Sequence, residues 1–213
     1  MKKVLTMTIV LAFIASVLSC SKDEEKEPSL NKTKITLYVD ETEKLTYIGN
    51  DECTWSSDNS RVANVNNGLV TAMHVGVTII HANDLTCEVT VKPRYTSFTE
   101  PSLEFSSSKS EVKRQMSGYT LKSEDNTMLT YFGKGNVDQY VYQFKNDALE
   151  ISALYTSIIY AVTLKDYLLE RYLVYDTEVS NTEYIFTLVS VDLNMFIQFR
   201  TGSYGCIVMY TKA

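Results

Sequence analysis

The chain has little of what catalytic and metal sites are usually built from. Its 213 residues include two histidines, four cysteines and one tryptophan. His74 and His81 have no second His, Cys or carboxylate at HExxH or paired CxxC spacing, so no metal-ligand set is expected. Gly202-Ser203-Tyr204-Gly205 lacks the GxSxG frame of a nucleophilic serine, and no histidine follows residue 81 to serve as its base. Gly133-Lys134-Gly135 precedes no helical pattern whose N-terminus could hold phosphate, and it reads as a hairpin tip. Three prolines and eight glycines exclude collagen-like and low-complexity chains. Twenty Lys and Arg against 26 Asp and Glu give a net charge of -6, which leaves no basic footprint for nucleic acid. Glu100, Glu104, Asp138 and Glu150 are carboxylates of the kind a glycosidase needs as a facing pair, but spacing along the chain pairs none of them. The expectation is a protein without catalytic residues, metal or cofactor.

Only one long apolar run is present. Lys2 and Lys3 precede an uncharged stretch from Val4 to Ser19, the outline of a signal peptide covering residues 1–19. A retained membrane helix would need about 20 apolar residues, and Thr6, Thr8, Ser16 and Ser19 interrupt this one. Val17-Leu18-Ser19-Cys20 resembles the bacterial lipobox, with Val17 where Leu is usual and Leu18 where a small residue is usual. The resemblance implies a lipid on Cys20 and hence the membrane as a partner. Residues 20–27 are charged and too poor in apolar side chains to fold alone, which predicts a tether. Within it, Lys22-Asp23-Glu24-Glu25 resembles the export signal of Bacteroidetes surface lipoproteins, implying an outer-membrane protein displayed outward; a plain acidic linker on a periplasm-facing lipoprotein is the alternative.

Pro28, Pro93 and Pro101 punctuate what remains, dividing it into residues 28–92 and 93–213. Of 15 tyrosines only Tyr38 and Tyr47 precede residue 93. Residues 28–92 alternate apolar and polar in short runs between Asn, Asp and Gly, which predicts an all-β sandwich. The segment from Thr54 to Ala72, with Leu37 to Leu45, Gly76 to Ala82 and Cys87 to Val91 around it, resembles the bacterial Ig-like group 2 (Big2) domain. That resemblance implies an Ig-like sandwich of the sort used as stalks in bacterial surface proteins, with no enzymatic activity. Alternation puts Cys53 with Trp55, and Cys87 with Val89 and Val91, on inward faces; the two thiols are either a disulfide or two separate buried hydrophobes. Both histidines are expected to face solvent, and Cys206 has no partner.

In residues 93–213, Ser108-Lys109-Ser110-Glu111 is a capping box followed by Val112 and Met116, with Gly118 as the expected stop. A second helix is expected near Thr163, with Leu164, Leu168, Tyr172 and Tyr175 along one face. Laying Gln143-Phe144-Lys145 on Gln198-Phe199-Arg200, an offset of 55, matches Tyr140, Tyr142 and Phe144 to Met195, Ile197 and Phe199, and Tyr155 to Tyr210. This predicts an α+β domain of two helix-plus-antiparallel-meander halves, six to eight strands with the helices on one face. The arrangement is similar to that of duplicated β-lactamase-inhibitor-like domains. Val141 and Phe196 fall on the opposite strand faces, a candidate binding surface for a glycan or protein. Three functions fit the sequence: a non-catalytic lipid-anchored surface protein whose Big2 module is a spacer for a recognition head, an envelope component docked to another outer-membrane protein, and a small carbohydrate-active enzyme.

Overall fold

Short alternating runs dominate the chain, and they form strands. A computed structural model describes residues 27–180, 183–203 and 205–213. Cys20 and the Lys22, Asp23, Glu24 and Glu25 cluster lie outside the described residues. The first strands are β1 (Ser29–Leu30), β2 (Lys34–Tyr38), β3 (Thr42–Lys44), β4 (Tyr47–Ile48), β5 (Trp55–Ser57), β6 (Ala63–Asn66), β7 (Leu69–Ala72), β8 (Gly76–Ala82) and β9 (Leu85–Lys92). They pair in the orders β2-β9-β8-β5, β3-β7-β6 and β1-β4, with β2 and β9 parallel. Ile35 and Leu37 from β2, Val70 and Ala72 from β7, Ile80 from β8 and Val89 from β9 all enter one buried cluster, so the two larger sheets share a core. The β6–β7 hairpin closes on Asn67 and Gly68, both at positive φ, and a side chain on Gly68 would come within 2.5 Å of the Leu45 carbonyl.

The remaining elements are α1 (Lys109–Gln115), β10 (Leu121–Glu124), β11 (Met128–Phe132), β12 (Gln139–Lys145), β13 (Ala148–Thr156), α2 (Ala161–Leu169), β14 (Tyr172–Val179), β15 (Tyr184–Ser190), β16 (Met195–Gly202) and β17 (Gly205–Lys212). All eight strands join one antiparallel sheet in the order β10-β11-β12-β13-β17-β16-β15-β14. Val112 and Met116 of the α1 segment, and Leu164, Tyr167 and Leu168 of α2, join Tyr140, Tyr142, Phe144, Ile197, Phe199 and Tyr210 in a second core. Both helices therefore cover the same face of the sheet.

The capping box forms as expected, with the Ser108 hydroxyl accepting from the Glu111 N–H and the Glu111 carboxylate accepting from the Ser108 N–H at 2.7 Å. The helix ends at Gln115, and the Met116 N–H bonds the Val112 carbonyl, so Gly118 lies beyond the stop. The second helix differs from expectation. It starts at Ala161, continuing a 3-10 turn at Ile158–Tyr160, and stops at Leu169, so Tyr172 and Tyr175 belong to strand β14. The run Tyr172-Leu173-Val174-Tyr175 holds two aromatic residues and the β-branched Val174, and it gains more by pairing with β15 than by continuing the helix. Tyr172 is buried, but Tyr175 is 70% exposed and packs edge-on against Phe196.

The offset of 55 is half right. Tyr140, Tyr142 and Phe144 of β12 and Met195, Ile197 and Phe199 of β16 are all buried toward the helices. The match of Tyr155 to Tyr210 fails. Both hairpins close on two residues, Lys145 pairing with Ala148 and Gly202 with Gly205, but the β12–β13 register slips by one residue between Gln143 and Phe144, and that bulge reverses which residues of the return strand face the helices. Tyr155 consequently faces away from the helices, and Tyr210 is fully buried beneath them.

The two parts meet at a charged clamp. The Glu170 carboxylate, 6% exposed, accepts from the Arg94 N–H at 2.9 Å to each oxygen and from the Tyr95 N–H at 2.9 Å. Its backbone carbonyl accepts from Val75 at 2.7 Å. Arg94 in turn donates through Nε to the Val39 carbonyl at 3.0 Å, and Val191 packs on the first core. Ser108→Ala removes the side-chain cap of α1 and should lower stability by about 1 kcal/mol. Urea denaturation with an unchanged slope would register the loss; an unchanged midpoint would show that α1 is held by Val112 and Met116 alone.

Candidate functional site

Because successive strand residues point to opposite faces, the residues that alternate with the core form the far surface of the sheet. Pairing aligns them in continuous rows. One row runs Phe132, Gln139, Tyr155, Ile207, Arg200 and Ile185; the next runs Val141, Ala153, Met209, Gln198 and Thr187. A third carries Met128, Gln143, Ile151, Thr211 and Phe196. Apolar and polar side chains interleave, as in an antiparallel sheet with one face toward water. Among the described residues no helix packs on this face.

The first row opens into a cleft of about 740 Å³, lined by Phe132, Tyr155, Ile207 and Met209 with Lys122, Arg200, Asp138 and Glu183. Gly205 permits its shape. At φ +128 it starts β17 so close to β13 that a side chain there would meet the Thr156 carbonyl at 2.6 Å. Lys122 Nζ lies 5.6 Å from the centre of the Phe132 ring and donates to Gln139 Oε1 at 2.9 Å. Arg200 Nε donates to Gln198 Oε1 at 2.9 Å. The cleft thus combines an aromatic and aliphatic floor with two cations and two carboxylates.

Val141 and Phe196 both lie on the uncovered face, but they do not come together. They are three strands apart, about 14 Å at the usual strand spacing, and neither lines the cleft. The cleft residues gave no motif in the sequence; only the alternation that put Tyr140 and Tyr142 inward could have pointed to Tyr155 through its partner Gln139. Of the carboxylates singled out, Asp138 lines the cleft, Glu104 accepts from Gln115, Glu150 pairs with Lys145, and Glu100 is on the helix side. His74 Nδ1 lies 2.7 Å from the Arg61 carbonyl oxygen and His81 Nε2 lies 2.8 Å from Asp58, both at the surface of the first sheets. Among the described residues no three His, Cys, Asp or Glu side chains converge as a metal site.

Cys53 and Cys87 are free thiols. Cys87 lies across Ile80 from Ser57, and Cys53 is four residues beyond Ser57, before β5 begins. That separation is about 13 Å along the strand and two strand spacings across it, far outside disulfide reach. Cys53 is half-buried rather than inward, because the chain is not yet a strand there. Burial raises the Cys206 thiol to about 11, which keeps it protonated and unreactive.

A second polar centre lies at the junction. Glu100 Oε1 accepts from Tyr172 at 2.7 Å and from Tyr210 at 3.3 Å, beside Arg171, in a cleft of about 370 Å³ that Val75 and Asn194 also line. Burial pushes this carboxyl above its usual range, while the two hydroxyls and the Arg171 charge pull it back. A carboxyl raised in the folded state contributes stability that is full below the unfolded-chain value and is lost as pH rises through the folded value. Glu100→Gln keeps an acceptor for both tyrosines and does not titrate. The stability advantage of wild type over this variant should therefore be largest below about pH 4, where the unfolded carboxyl is also protonated, and shrink as pH rises above that in urea denaturation; a constant difference would contradict the assignment. Among the described residues no helix is long and apolar enough to cross a membrane. No protein-family model matches the chain, and no curated protein matches it in sequence.

Proposed function

We propose that the protein is a non-catalytic, lipid-anchored protein of the bacterial outer surface, in which one part spaces and the other recognises. In this reading the lipid is on Cys20, and Lys22, Asp23, Glu24 and Glu25 direct export. Residues 28–92 are an Ig-like sandwich of the Big2 type, supported by two sheets that share one core. Residues 93–213 are two helix-and-meander halves, supported by the strand order and by the matched inward faces of β12 and β16. The observation that carries the recognition role is the sheet face without helices, with its cleft beside Tyr155, as a surface for a glycan or protein. No nucleic acid and no cofactor enter this reading. The Glu170 clamp supports a head held in a fixed pose on its spacer.

One observation favours a second reading, that of an envelope component docked to another outer-membrane protein. Ile158, Ile159 and Val162 are 47%, 76% and 68% exposed at the start of α2, and solvated apolar clusters of this kind often meet a partner. The two readings part in protease shaving of intact cells, read with an antibody to residues 93–213. The recognition reading predicts loss of signal in wild type and retention when Lys22, Asp23, Glu24 and Glu25 are replaced by Ala. Protection of both would place the protein inside the outer membrane and overturn surface recognition.

A further inference from the structure

Among the described residues, the cations and carboxylates that line the cleft on the uncovered face form no ion pair with one another. Arg200 is half-buried between Ile207 and Ile185, and among the described residues no carboxylate lies within salt-bridge distance of its guanidinium. Among the described residues only its Nε has a partner, Gln198, and Arg200 lines the cleft. A guanidinium set in an apolar row is costly to leave unpaired, and its planar fork fits a carboxylate at two points. Lys122, the other cation among the described cleft residues, sits over Phe132 and among the described residues is likewise bonded only to an amide oxygen.

Two features separate the ligand from an acidic peptide. Asp138 and Glu183 line the same cleft, and they would repel a chain carrying several carboxylates while accepting hydrogen bonds from hydroxyls. Tyr155 and Phe132 give flat apolar faces on either side of Gln139, an arrangement suited to the C–H face of a sugar ring with hydroxyls at its edge. A volume of about 740 Å³ suits a ligand of a few rings rather than the flat interface of a folded protein. Resting on the recognition role proposed above, we infer that the cleft binds an oligosaccharide bearing a carboxylate, the carboxylate on Arg200 and a ring face on Tyr155.

The test uses the full lipoprotein in detergent micelles and isothermal titration with four probes: trigalacturonate, 3′-sialyllactose, maltotriose as the neutral sugar and hexaglutamate as the acidic peptide. The expected result is that at least one acidic sugar binds about tenfold or more tighter than maltotriose, that salt weakens it, and that hexaglutamate does not compete. Arg200→Gln should erase the difference between acidic and neutral sugars, and Arg200→Lys should restore part of it. Tyr155→Ala should weaken both sugar types. Thermal melting of each variant checks the fold, and Lys122→Gln, at an exposed position, gives a second reading of the charge dependence if Arg200→Gln does not fold. Equal binding of acidic and neutral sugars would overturn the carboxylate assignment yet leave the recognition head standing. Preferred binding of hexaglutamate would overturn the sugar class. Binding of none of the four would overturn the inference, whereas the recognition role itself is decided separately by surface exposure in the shaving experiment.

Discussion

Both helices pack on one face of the eight-stranded sheet, and the rest of the second part follows from that asymmetry. The covered face takes the large side chains. Tyr140, Tyr142, Tyr210 and Phe199 are essentially inaccessible to solvent, and the buried hydroxyls find acceptors such as the Thr99 carbonyl for Tyr140 and Glu100 for Tyr210. Burial raises the phenol of Tyr142 to about 12 and that of Tyr167 to about 12, so these tyrosines are neutral structural residues at any ordinary pH. The uncovered face must then be compatible with water while filling the same pleat. It does so by interleaving Gln139, Arg200, Gln198 and Gln143 with Tyr155, Ile207 and Met209. A surface of that kind is soluble, yet it retains enough apolar area to hold a ligand.

The junction has its own economy of atoms. Glu170, at the end of α2, uses both carboxylate oxygens on backbone N–H groups of the connecting segment and its own carbonyl on Val75 of the first part. Charge-assisted bonds to backbone donors are stronger than neutral ones, and here they replace the hydration that a buried carboxylate loses. Arg171 beside it stacks 3.6 Å from the Tyr167 ring centre and donates to the Tyr95 carbonyl at 3.1 Å. Two adjacent residues at one helix end thus tie the linker, the helix and the first core together.

Much of this was legible in the chain, and the exceptions have physical causes. Alternation reports which residues share a strand face, so the inward placement of Tyr140, Tyr142, Ile197, Val89 and Ile80 could be read directly. The capping box at Ser108 is a local interaction and was equally readable. What alternation cannot report is where a strand begins. Cys53 falls just before β5 and loses its inward direction, and Tyr172 and Tyr175 carry helix-compatible spacing in a segment that pairs with β15. A one-residue bulge defeats a fixed offset, which is why Tyr155 and Tyr210 point opposite ways although β12 and β16 match. The cleft was the least legible feature, because its residues come from distant strands and converge only through the pairing of β13 with β17. Val141 and Phe196 lie on the same face of the sheet as the cleft, but outside it.

Recognition at the far face of the sheet requires that face to be open in the cell. Gln143 is exposed in the middle of that face, next to Ile151 and Met128. In a Cys53→Ser background, a cysteine in place of Gln143 can be titrated with a membrane-impermeant maleimide on intact cells and again after detergent extraction, with Leu154→Cys as a buried reference. An open, outward face predicts labelling of the Gln143→Cys protein at similar rates in both conditions and little labelling of Leu154→Cys in either. Labelling of Gln143→Cys only after extraction would contradict the account, showing the face covered by a partner or enclosed behind the outer membrane.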